Sequence, residues 1–106
     1  MKILIVEDNL ILSGMISKWL QKTGYDVATA TDEPMARSIL KKDEISLVLG
    51  DVRLPEGDGI NLLEWMMRSG VEIPFIVMTD YACISDAVRA IKLGAKDYLE
   101  KPVHQE

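Results

Sequence analysis

Glu7, Asp8, Asp51, Thr79 and Lys101 each stand at or just past the end of a short apolar run in this 106-residue chain. Ile3-Leu4-Ile5-Val6 leads into Glu7 and Asp8, and Leu47-Val48-Leu49-Gly50 leads into Asp51. Phe75-Ile76-Val77-Met78 leads into Thr79, and Tyr98-Leu99 leads through Glu100 into Lys101 and Pro102. Three carboxylates brought together repel one another, and a divalent cation relieves that repulsion. Oxygen-only ligands suit Mg²⁺. A carboxylate is also a competent nucleophile toward phosphorus. A lysine ammonium can pair with one phosphoryl oxygen while a threonine hydroxyl donates to another. The set therefore suits metal-assisted phosphoryl transfer onto a carboxylate, with Asp51, at the end of the central strand, as the nucleophile. Taken singly, Glu7-Asp8 reads as a solvated turn or helix cap, Asp51 as a loop cap, Thr79 as a strand-end hydroxyl and Lys101 as a surface lysine. Their order at four strand ends favours one shared site.

Those residues need elements to position them. The β-branched run Lys2–Val6 predicts a strand. Residues 10–23 predict a helix with Leu12, Met15, Ile16, Trp19 and Leu20 on its apolar stripe; Ser13, Ser17, Lys18 and Lys22 point away, and Gly24 stops it. Residues 27–30 form a second strand. Thr31 or Asp32 caps the next helix, Pro34 fits its first turn, and Met35, Ala36, Ile39 and Leu40 face inward. A third strand spans 45–50, followed by a loop dense in turn formers over 53–59. The third helix buries Leu62, Leu63, Met66 and Met67 and leaves Trp65 partly exposed. Pro74 opens a strand over 75–78. Ile84–Leu93 is a helix with Ile84, Ala87, Val88 and Ile91 inward, stopped by Gly94, and Asp97–Glu100 is the last strand. Alternating strands and helices predict an α/β domain with a mostly parallel sheet, each helix serving as a right-handed crossover. In such sheets, ligands bind beyond the carboxyl ends of the strands, where the five residues fall.

Composition excludes several classes. A net charge of −5 and a pI near 4.8 argue against the domain gripping nucleic acid by itself, since phosphate backbones call for a basic face. A lone cysteine, Cys83, rules out an internal disulfide and points to a reducing, cytoplasmic setting. No run approaches the length of a bilayer span, and strand-like residues at the start predict no signal peptide. Cys83 reads as a small apolar residue and His104 as a solvated tail residue.

The chain resembles the receiver domain of bacterial two-component response regulators. The resemblance rests on Ile3-Leu4-Ile5-Val6-Glu7-Asp8-Asn9, on Asp51-Val52-Arg53-Leu54-Pro55-Glu56-Gly57-Asp58-Gly59, on Val77-Met78-Thr79, on residues 87–95, and on Asp97-Tyr98-Leu99-Glu100-Lys101-Pro102. It covers the whole chain in order and is similar in wording to receivers that precede an ATPase module and a DNA-binding module. It implies a flavodoxin-like doubly wound sheet of strand order 2-1-3-4-5. It further implies that Asp51 accepts a phosphoryl group from a partner histidine kinase or phosphotransfer protein. Mg²⁺ would be held by Glu7, Asp8, Asp51 and the backbone carbonyl of Arg53. Thr79 and Lys101 would bind the phosphoryl group, Tyr98 would turn inward behind Thr79, and Pro102 would follow a cis bond after Lys101. Phosphorylation would bias residues 79–84, the fourth helix and the last strand, making the domain a signalling switch that catalyses only its own phosphorylation and slow dephosphorylation.

Four features depart from the family pattern. Asp80 stands where a small residue is usual and would alter the lifetime of the acyl phosphate. Gly50 replaces an apolar side chain before Asp51, where it would loosen the strand. Gly57 replaces a bulkier loop residue. Only Val103-His104-Gln105-Glu106 follows Pro102 where a fifth helix is expected, so the expectation is a receiver truncated before that helix. Its apolar sheet face would be left open, and it would be a fragment of a longer regulator or a chain that covers the face by homodimerisation. A degenerate receiver acting as a phosphorylation-independent interaction module is the alternative. A flavodoxin-like mononucleotide binder is disfavoured, because Glu7-Asp8-Asn9 would repel a phosphate in the first strand-to-helix turn.

Overall fold

The computed structural model describes residues 1–52, 54, 59–79 and 84–100. Strand and helix alternate as β1 (Lys2–Val6), α1 (Leu10–Lys22), β2 (Asp26–Ala30), α2 (Glu33–Lys42), β3 (Leu47–Asp51), α3 (Gly59–Arg68), β4 (Phe75–Thr79), α4 (Ile84–Leu93) and β5 (Asp97–Glu100). All neighbouring strands pair in parallel, in the order β2-β1-β3-β4-β5. The expected doubly wound α/β fold is therefore present. The third strand begins two residues later than the pattern predicts and includes Asp51, which pairs with Met78. The Val52 N–H then donates to the Met78 carbonyl at 3.2 Å, carrying the β3–β4 ladder past the carboxylate.

Local chemistry sets the helix ends. Asn9 caps α1: its Oδ1 accepts from the Ile11 and Leu12 N–H groups at 3.0 and 3.1 Å. Asp32, not Thr31, caps α2 by accepting from the Met35 N–H at 2.9 Å, with Pro34 in the first turn. Each cap satisfies N–H groups that have no partner within the helix. After α1 the chain turns through Gly24 at φ +101°, a conformation that L side chains rarely adopt.

The sheet divides the core into two layers. One holds Leu4, Val6, Val48, Phe75 and Val77 from the sheet with Ala36 of α2, Leu62, Leu63 and Met66 of α3 and Ala90 of α4. The other holds Ile5, Leu49 and Met78 against Ile16 of α1, with Leu12 and Leu20 packed at its edge. Trp65 is half-buried, as expected, and its ring carries the Arg37 guanidinium at 5.2 Å and the Lys41 ammonium at 5.9 Å; Arg37 also pairs with Glu33.

Several helix faces differ from the predicted stripes. Trp19, expected in the core, is 47% exposed, and Met15, Met35, Met67, Val88 and Ile91 are also exposed. Ser13, expected to point away, is buried, as is Ala90. Each helix meets the sheet along a strip narrower than its apolar stripe, and small residues sit where backbones approach most closely. Beside α1, an apolar cleft of about 160 Å³ is lined among the described residues by Ile3, Ile16, Trp19, Leu20, Leu47, Leu49, Ile76 and Leu99. Residues 101–106 lie outside the described part.

Candidate functional site

β1 and β3 are adjacent in the sheet, with Val6 opposite Gly50. That register carries Glu7 and Asp8 to the same sheet edge as Asp51. One carboxylate oxygen from each of Glu7, Asp8 and Asp51 lies within 4.8 Å of the other two. Glu7 is 1% exposed and Asp51 6%, whereas Asp8 is exposed. The cluster is thus two buried carboxylates with a third at the solvent side.

The backbone around these groups is tied down. The Glu7 N–H donates to the Ala30 carbonyl at 2.9 Å, extending the β1–β2 ladder. Glu7 Oε2 accepts from the Asn9 N–H at 3.0 Å, so the residue that caps α1 also orients the carboxylate. On the β3 side, the Gly59 N–H donates to the Val52 carbonyl at 3.0 Å. A Cβ at Gly59 would collide with the Asp51 carbonyl oxygen and lie 3.2 Å from Val52 Cα. Only glycine lets the start of α3 approach the Asp51 backbone this closely.

Three carboxylate oxygens drawn this close can share one cation. The donor set is oxygen only, half-buried and open on the Asp8 side, which fits a hard divalent cation that keeps bound water.

Thr79 closes β4 one residue beyond the Asp51–Met78 pair and lies opposite Glu100, so its backbone is at the same sheet edge; its side chain is outside the described part. Arg53, Asp80, Lys101 and Pro102 also lie outside the described residues. Tyr98 lies on β5 opposite Val77, with its N–H donating to Asp97 Oδ1 at 2.8 Å, and is 42% exposed. The sequence reading did not single out Asn9 or Gly59 for the site. Asn9 was detectable as a helix-cap residue three positions before the apolar stripe; Gly59 carried no such signal.

The sequence profile of the response regulator receiver domain matches residues 3–106. The chain belongs to the response regulator receiver family. The receiver is 38% identical over 101 residues to the transcriptional regulatory protein ZraR of Escherichia coli (strain K12), a match covering 95% of this chain and 23% of that protein. It is 34% identical over 106 residues to the virulence transcriptional regulatory protein PhoP of Salmonella typhimurium (strain 14028s), covering 100% of this chain and 47% of that one. The chain thus spans just under a quarter of one of these relatives and just under half of the other. Among solved structures, the receiver domain of NtrX from Brucella abortus superposes with a TM-score of 0.91 at 30% identity, covering 96% of this chain and 87% of that one. No helix among the described residues is long and apolar enough to cross a membrane.

Proposed function

We propose that this receiver is a phosphorylation-dependent switch in which Asp51 accepts a phosphoryl group from the phosphohistidine of a partner kinase or phosphotransfer protein. The observation that carries the reading is the cluster of Glu7, Asp8 and Asp51 at the carboxyl edge of β1 and β3. Glu7, Asp8, Asp51 and the backbone carbonyl of Arg53 would hold Mg²⁺. The ion supplies charge neutralisation for the phosphoryl oxygens. An Asp51 carboxylate oxygen attacks phosphorus, the P–N bond breaks, and its electron pair returns to the histidine nitrogen. The product is an acyl phosphate that water later hydrolyses. Lys101 and Thr79 bind the phosphoryl oxygens, Pro102 sets the Lys101 approach, and Asp80 tunes the lifetime of the bond. Tyr98, now half-exposed, turns inward behind Thr79, and the surface of α4 and β5 changes with it.

We place the domain in a longer cytoplasmic regulator that also carries an effector module. The relatives named as transcriptional regulators support this. So does the match of 97% of this chain to 24% of a longer NtrX chain solved with ADP, which accords with an ATPase module followed by a DNA-binding module. The apolar cleft beside α1 supports homodimerisation where nothing else covers it; sedimentation velocity showing a monomer at high concentration would remove that part.

The test is intact mass after incubation with Mg²⁺ and a small acyl phosphate. The expected result is a gain of one phosphoryl group, abolished by Asp51→Asn and by chelation of the metal. A folded protein that gains no mass is the degenerate interaction module instead.

A further inference from the structure

Gly50 immediately precedes Asp51 on β3, between Val6 of β1 and Val77 of β4. Its backbone is ordinary strand, outside the left-handed region, so conformation does not require glycine there. Space does. A Cβ at Gly50 would lie 2.7 Å from Phe75 Cζ and 3.3 and 3.4 Å from Cε1 and Cε2. The ring tip of Phe75 therefore rests on the Gly50 backbone. Phe75 is 1% exposed and packs in the layer that holds Val48, Val77, Leu63 and Met66. A ring so enclosed cannot yield as the end of a flexible chain would, so a side chain at position 50 pushes β3 itself. Asp51 is the next residue, and its backbone carbonyl is itself closely approached by Gly59.

We infer that Gly50 and Phe75 form one complementary unit that sets the position of the Asp51 carboxylate, making both positioning residues for its phosphorylation. The inference rests on the phosphoacceptor reading of Asp51. Displacing a reacting group by a fraction of an ångström to an ångström lowers a rate by tenfold to a hundredfold, even where the fold survives.

The experiment is a double-mutant cycle on the whole chain: wild type, Gly50→Ala, Phe75→Leu and Gly50→Ala/Phe75→Leu. Phosphorylation by a small acyl phosphate at saturating Mg²⁺ is timed at a temperature where circular dichroism shows each variant folded. Gly50→Ala is expected to slow phosphorylation about tenfold or more. In the Phe75→Leu background, where the ring tip is gone, the same change is expected to alter the rate less than about twofold, the non-additivity of two groups in contact, read as a rate because every variant is folded at the assay temperature. Gly50→Ala reacting at the wild-type rate, or slowing both backgrounds equally, overturns the inference. If Gly50→Ala alone does not fold, the comparison of Phe75→Leu with the double variant decides: equal rates support the pair and a slower double variant sinks it. A wild type that gains no phosphoryl group defeats the phosphoacceptor reading itself, a separate result from equal rates in modified proteins.

Discussion

At the residue scale, the site depends on what holds each carboxylate in place. Glu7 is buried, and its Oε2 accepts from the backbone N–H of Asn9. Removing its charge should weaken Mg²⁺ binding more than any second-layer change does. Loss of groups that merely orient a ligand typically costs 10–100-fold in affinity, so Glu7→Gln is expected to raise the Mg²⁺ dissociation constant by at least about tenfold, read by titration calorimetry. Asn9→Ala removes a cap that serves two N–H groups. It should cost about 1 kcal/mol of stability but leave Mg²⁺ affinity nearly unchanged, because the brace on Glu7 is the Asn9 backbone N–H, which alanine keeps. Thermal unfolding with and without Mg²⁺ separates the two effects.

At the element scale, α3 is anchored to β3 through Gly59. Gly59→Ala would press a methyl group into the Asp51 carbonyl, so the helix start or the strand end must move. Overpacking of this kind costs about 1–3 kcal/mol. Denaturant unfolding should show that loss, together with slower phosphorylation, whereas Gly14→Ala should not slow phosphorylation: nothing lies within 4 Å of its would-be Cβ, and its place mid-helix favours alanine. The two glycines thus separate a demand for space from simple tolerance. Leu62, Leu63 and Met66 give α3 its buried face, and truncating Leu63 to Ala should cost about 2–5 kcal/mol without selectively affecting the metal.

At the scale of the whole molecule, the gathered carboxylates set function against stability. Glu7, Asp8 and Asp51 repel one another without a cation, and folding brings them within reach of a single ion. A bound cation should therefore stabilise the folded wild type more than Asp51→Asn, which removes one of the three carboxylates. Adding Mg²⁺ should raise the wild-type Tm, by linkage worth about 2.7 kcal/mol at a hundredfold excess over its dissociation constant, and should do much less for the Asn variant. A Mg²⁺-induced rise in Tm as large for Asp51→Asn as for wild type would remove Asp51 from the metal site.

Element order, parallel topology and the gathering of Glu7, Asp8 and Asp51 at one edge were legible in the sequence, because they follow from periodicity and from rules that hold for any alternating α/β chain. Strand period two and helix period 3.6 depend only on local residue order, and a carboxylate after an apolar strand stays at its end however the side chains pack. Which part of each apolar stripe is buried was not legible: Trp19, Met35, Val88 and Ile91 are exposed while Ser13 and Ala90 are buried, and Trp19 lies at the rim of an open apolar cleft with β1, β3, β4 and β5 residues. Nor was the reason for Gly50. Read along the chain it weakens a strand, but across the sheet it makes room for Phe75, 25 positions later. The same holds for Gly59 against Asp51, since a close approach between distant backbones exists only once the strands and helices have docked.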